Sequence, residues 1–154
     1  LLAKLDKKTF GRKFMADMIK LLLENKGKEV DGLLNSYLED ILNHRWDKDM
    51  FIKKETLQES LDLYMTKVSQ KRRTKDASYE LAIASGRNYQ PGDVIAFYVT
   101  GNKKTVKIFE NCKPASEWKK ENPDENVEFY KNKLLELYKK FSMFFNDENQ
   151  LATI

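Results

Sequence analysis

The sequence predicts an α+β chain, mostly helical, in which an N-terminal helical hairpin and a long C-terminal helix flank a small antiparallel β element. Three observations carry this expectation. Apolar residues recur at helical spacing near both ends, as Phe10, Phe14 and Met18 and again as Tyr130, Leu134 and Phe141. In the middle, a Pro91-Gly92 turn precedes the apolar run Val94-Ile95-Ala96-Phe97-Tyr98-Val99. A hydrophobic content of 41%, with nine Phe, seven Tyr and two Trp, supplies the material for a packed core rather than a disordered tail.

At 154 residues the chain has the length of one domain, or at most two small ones. The expected organisation is one domain over 1–145, made of a helical hairpin (1–46), a β-containing part with a basic loop (47–121) and a C-terminal helix (122–145), with 146–154 as a frayed tail. The chain opens on Leu1-Leu2 without an initiator methionine, which reads as a piece of something longer.

Taken in order, the first helix starts near Thr9, its stripe widened by Met15, Ile19 and Leu23, and Gly27 reads as its stop. A second helix from about Lys28 to Asn43 places Val30, Leu33, Leu34, Tyr37, Leu38, Ile41 and Leu42 on one side, and the short connection makes the two helices antiparallel neighbours. Met50-Phe51-Ile52 reads as a short strand leading into Lys53-Lys54-Glu55-Thr56-Leu57. A short helix over about 58–67 turns Leu61, Tyr64 and Met65 inward.

Next comes the densest positive run, Lys71-Arg72-Arg73-Thr74-Lys75, with Lys67 just ahead of it. The stretch from Ala77 then forms a short helix with Leu81, Ala82 and Ala84 on its apolar face, stopped by Gly86, before the strand Asp93 to Thr100. Gly101-Asn102-Lys103-Lys104 reads as a turn into a second strand, Thr105 to Glu110, where Val106 and Ile108 alternate with Lys107 and Phe109. Asn122-Pro123-Asp124-Glu125 has the spacing of a capping box, with Asn122 as the cap, Pro123 at the first helical position and Glu125 three residues on. The helix it opens carries Val127, Tyr130, Leu134, Leu137 or Tyr138, Phe141 and Phe144 or Phe145, and this aromatic stripe reads as core.

Several function classes are disfavoured. Cys112 is the only cysteine and His44 the only histidine, so neither a disulfide nor a four-ligand zinc site can be assembled from them. The single thiol fits a reducing, intracellular compartment, cytoplasmic or nuclear, and no apolar run has the length of a membrane span. His44 at the end of the second helix reads as a solvated residue beside free carbonyls, and Cys112 as an incidental thiol. The glycines Gly11, Gly27, Gly32, Gly86, Gly92 and Gly101 are scattered as stops and turns rather than gathered into a phosphate loop. No nucleophile, base or carboxylate pair forms a reaction centre.

A binding role is better supported. Twenty-eight Lys and Arg against twenty-four Asp and Glu give a net charge of +4, a weak hint by itself. Lys71, Arg72, Arg73 and Lys75 are concentrated in one loop, and Lys53, Lys54, Arg87, Lys103 and Lys104 fall at the ends of the short elements around it. Long cationic side chains shown on one face are what phosphate contacts need, and each contact releases counterions. Tyr79 and Tyr89 read as core residues or as sugar and base contacts. The same run is compatible with an ordinary solvated loop or a nuclear import patch.

The order of several motifs resembles the thumb domain of family B DNA polymerases. Leu38-Glu39-Asp40-Ile41-Leu42, Met50-Phe51-Ile52-Lys53-Lys54, Tyr64, Tyr79-Glu80-Leu81-Ala82, Gly86, Pro91-Gly92-Asp93-Val94-Ile95-Ala96-Phe97-Tyr98-Val99 and Asn126-Val127-Glu128-Phe129-Tyr130 follow one another as in that family. There a leucine-rich helix precedes an Ile-Thr-Lys strand, a Pro-His helix leads to Pro-Gly-Asp-x-Ile-x-Tyr-Val-Ile, and Glu-Tyr-Tyr opens the last long helix. The resemblance spans 29–142. The chain departs from it with Ala77-Ser78 in place of Pro-His, with Lys53 in place of threonine, and with a longer, more basic stretch after Tyr64.

The resemblance implies a DNA-binding segment of a DNA-directed DNA polymerase, a nucleotidyltransferase of DNA replication. It would grip primer-template duplex through phosphates without sequence readout, Lys54 on the backbone and Lys71 to Lys75 extending the grip. It implies no catalytic residue here and no cofactor of the segment's own, since the metal-binding aspartates and their Mg belong to the palm of the parent enzyme, whose other domains would be its partners. The alternatives are a protein-interaction domain that docks a partner on its aromatic helix and an RNA-binding accessory domain.

Overall fold

The computed structural model of the protein describes residues 9–146. Among these, the elements are α1 (Phe10–Leu23), α2 (Val30–Leu42), β1 (Lys53–Thr56), α3 (Leu61–Ser69), α4 (Ala77–Ser85), β2 (Val94–Val99), β3 (Cys112–Pro114) and α5 (Val127–Asn146). This is the α+β architecture expected, with its helical hairpin, small antiparallel sheet and long final helix. The chain divides into two compact units: Leu1–Phe51 with Val127–Ile154, and the continuous segment Ile52–Asn126 inserted between those two stretches. The expected fraying of the tail lies outside the described residues, as does the packing of Phe144 and Phe145.

In the first unit, the four-residue spacing of Phe14 and Met18 buries both on one side of α1. Phe14 meets Tyr37 of α2 edge to face, with centroids 5.2 Å apart, and the Tyr37 hydroxyl donates to Asp17 at 2.7 Å. Burial and that carboxylate both push the Tyr37 phenol above its ordinary value. Trp46, buried just past α2, stacks on Phe10 at 4.9 Å. Tyr130 of α5 packs against Phe51 at 5.4 Å and donates its hydroxyl to the Phe51 carbonyl at 3.2 Å.

The helix stops differ from those the sequence suggests. α1 ends at Asn25 (φ 59°) rather than at Gly27, which opens a 3-10 turn over Gly27–Glu29. The Lys26 N–H reaches Leu21 O at 2.7 Å and the Asn25 N–H reaches Leu22 O at 3.2 Å, the paired bonds of a Schellman cap. Asn tolerates the left-handed region well enough that glycine is not needed. α2 closes the same way on His44 (φ 55°), with Arg45 N–H on Asp40 O at 2.8 Å and His44 N–H on Ile41 O at 3.1 Å. The only histidine is therefore a helix-cap residue.

In the second unit the strand order is β1-β2-β3, all antiparallel. Lys53 pairs with Phe97 and Glu55 with Ile95, so one face of the sheet carries Ile95 and Phe97 into a core with Leu57, Tyr64, Ala77, Tyr79 and Ala82. α4 closes that core and ends on Gly86 at φ 70° as expected, but Ala84, assigned to its apolar face, is exposed. Met65, expected inward, is 42% exposed on α3.

Three local expectations are corrected. Met50-Phe51-Ile52 is not a strand: a 3-10 turn covers Lys48–Met50 and β1 begins at Lys53. Thr105 to Glu110 is not a strand either. It is a loop ending in a 3-10 turn at Ile108–Glu110, and the third strand lies at Cys112–Pro114. The cause is Asn126, fully buried, whose amide donates to the carbonyls of Thr100 (3.0 Å) and Lys103 (2.9 Å) while its N–H reaches Val99 O at 2.9 Å. Those bonds hold the 100–103 carbonyls away from a hairpin partner, and the Thr100 N–H reaches Asn111 O at 3.0 Å instead. Finally, α5 begins at Val127, so Asn122 to Glu125 is not its capping box. Glu125 is buried and accepts from the Trp118 indole at 3.0 Å.

Candidate nucleic-acid interface

The cationic loop runs between two capped helices. Ser60 caps α3 by accepting from the Leu63 N–H at 3.1 Å, and α3 closes on Lys71 at φ 58°, with Arg72 N–H on Lys67 O at 2.9 Å and Lys71 N–H on Val68 O at 3.1 Å. This is a third Schellman cap, here with a lysine in the left-handed position. At the far end Asp76 caps α4, its carboxylate accepting from the Ser78 N–H at 3.2 Å and hydroxyl at 3.1 Å. The Asp76 N–H donates to the Tyr64 hydroxyl at 2.9 Å, which donates onward to Glu80 at 2.9 Å. Both ends of the loop are thus fixed by backbone hydrogen bonds.

Arg73 fixes the middle. Its guanidinium lies 4.4 Å from the Tyr79 ring centroid and 4.9 Å from that of Tyr64, two rings stacked at 4.5 Å. It pairs with Glu59 and, at 3.3 Å, with Asp76. The other oxygen of Glu59 takes Lys67 at 2.5 Å. These hydrogen bonds, that from Lys67 foremost, hold the Glu59 carboxyl below its ordinary range. The Tyr79 hydroxyl accepts from the N–H groups of Gln58 (2.8 Å) and Glu59 (3.2 Å), which sets the carboxylate beneath the loop.

Of the cations picked from the sequence, Lys71, Arg72 and Lys75 come together as exposed side chains of this one loop. Arg72 touches Gln70 at 3.1 Å, and the Lys75 ammonium stands 5.9 Å from the Phe109 ring centroid. Arg73 does not join them, since it turns inward as the loop's anchor. Lys53 and Lys54 are both exposed on β1, but adjacent strand residues point to opposite faces. Lys53 sits on the Phe97 side, paired with Glu55 at 3.0 Å, and Lys54 on the Ala96 side. Arg87 follows Gly86 at the far end of α4, about 13 Å along a nine-residue helix from the loop. Tyr79 is buried and Tyr89 half-buried, so Tyr79 is the core residue rather than a base contact.

Glu59 is the site residue that periodicity and charge density did not single out, because it lies off the apolar positions of the helix expected over 58–67 and, in the structure, just ahead of α3, which begins at Leu61. A usable signal existed in the sequence: a run of cations flanked by Tyr64 on one side and Tyr79 on the other invites one arginine to stack, with a carboxylate to neutralise it.

The described residues contain no group of three or more His, Cys, Asp or Glu able to hold a metal ion, and no helix long and apolar enough to cross a membrane. Burial pushes the Cys112 thiol up, away from the thiolate a nucleophile requires. No family model and no curated protein matches the chain.

Proposed function

We propose that this chain is a duplex-DNA-binding segment that grips the phosphate backbone without reading sequence, as the thumb of a family B DNA polymerase does within its parent enzyme. One observation carries the reading. The α3–α4 loop displays Lys71, Arg72 and Lys75 outward, while the carboxylates of Glu59 and Asp76 are neutralised by Arg73 and Lys67. The outward field therefore stays positive, and a loop anchored at both ends and in the middle loses little further entropy on meeting a phosphate.

The order of motifs shared with polymerase thumbs supports the same reading and supplies the partners, primer-template duplex and the remaining domains of a polymerase. Nucleotidyl transfer would belong to a palm carrying Mg. Duplex is favoured over single strands because Tyr64 and Tyr79 beneath the loop are buried and Phe109, beside Lys75, is half-buried against the same core, whereas single-strand binders stack bases on open rings.

The test is fluorescence anisotropy with a labelled DNA duplex. Replacing Lys71, Arg72 and Lys75 by Ala should weaken binding about tenfold or more, about 1.4 kcal/mol per decade. The control replaces three exposed cations of α1, Arg12, Lys13 and Lys20, and should leave affinity nearly unchanged despite the same loss of net charge. Equal losses in both triple variants would reduce the site to general charge attraction and defeat the proposal.

A further inference from the structure

We infer that Arg73 and Glu59 form a positioning latch: Arg73 touches no nucleic acid and instead holds the loop in the shape that presents Lys71, Arg72 and Lys75. The inference rests on the duplex-binding reading above and adds how that site is kept competent. A guanidinium packed over two stacked tyrosines, with Glu59 on one side and Asp76 on the other, has its fork already engaged. Its charge is spent internally. Its position ties three segments together, the turn before α3 through Glu59, the loop through its own backbone, and the start of α4 through Asp76 and Tyr79. Lys67 binds the second Glu59 oxygen and steadies the carboxylate from α3.

This arrangement makes an unusual prediction of sign. Glu59→Gln removes a negative charge next to a cationic loop, so electrostatics alone predicts tighter duplex binding. A latch predicts the opposite, because the released loop must be ordered again on binding. We expect Glu59→Gln to weaken duplex binding several-fold and Arg73→Gln to weaken it at least as much. Neither change should have any further effect once Lys71, Arg72 and Lys75 are already Ala. Arg73→Lys keeps the charge but cannot span Glu59 and Asp76 together, and should fail to restore affinity.

Binding that tightens in Glu59→Gln, or an Arg73→Gln loss that persists in full on the triple-Ala background, would overturn the latch and make Arg73 a direct contact. A second readout needs no DNA. Amide hydrogen exchange of the whole chain should rise at Asp76 and Arg72 in Glu59→Gln while the β2 amides stay protected. Unchanged exchange in the loop would refute the latch. Failure of the unmodified chain to bind duplex at all, with loop exchange still raised, would instead sink the duplex reading and leave the latch standing.

Discussion

Lysine rarely occupies the left-handed region, yet Lys71 does so at φ 58° where α3 ends. Glycine at this cap would relieve roughly 1 kcal/mol of backbone strain. Lys71→Gly should therefore raise the melting temperature while lowering duplex affinity, and paired melting and binding measurements check both signs. Loss of stability in Lys71→Gly would mean that the lysine side chain, not its backbone, is what the fold uses. Asn126 is the opposite case. Its fully buried amide donates to the Thr100 and Lys103 carbonyls, so Asn126→Ala should cost about 1–3 kcal/mol in denaturant unfolding. The titrating residues give a pH signature. Glu59 and Asp124 both have carboxyls held below their ordinary range. For Asp124 burial works the other way and is outweighed by Lys113 at 2.7 Å and the Tyr98 hydroxyl at 2.6 Å. A depressed carboxyl contributes stability that is complete above its unfolded value, near 4, and is lost as pH falls through the folded one. Melting temperature should hold from neutral pH down to about 5 and then fall. Glu59→Gln should flatten that fall, and a curve of unchanged steepness would remove Glu59 from it.

At the level of elements, helices were readable and the third strand was not, for a physical reason. The stripes of α1, α2 and α5 are written locally, every third or fourth residue, and bury Phe14 and Met18, then Leu34, Tyr37 and Ile41, then Tyr130 and Leu134, although Leu23 and Leu42, expected in the first two stripes, lie exposed where those helices end. Thr105 to Glu110 also alternates, but a strand needs a partner, and Asn126, many residues away in sequence, takes the carbonyls that partner would use. Helix ends fall in between. Gly86 was legible because a glycine marks it, whereas Asn25, His44 and Lys71 close their helices without one. The basic loop shows the same limit at the site. Charge density located it, but nothing in Lys71-Arg72-Arg73-Thr74-Lys75 says that the third residue turns inward, since that depends on Tyr64, Tyr79 and Glu59 meeting beneath it.

Across the whole molecule, the continuous segment Ile52–Asn126 forms its own compact unit and holds the sheet, the Tyr64–Tyr79 stack and the cationic loop. The other unit contributes α1, α2 and α5. A net charge of +4 is too small to explain strong attraction to DNA by itself, so the account stands on where the charges are placed rather than on their sum. The salt dependence of duplex binding tests this most directly, since it counts the phosphates engaged. If Lys71, Arg72 and Lys75 each meet one phosphate, changing all three to Ala should make the plot of log affinity against log salt shallower by about 2.7, three times the slope per contact. A triple variant whose plot runs parallel to that of the unaltered chain would contradict the account.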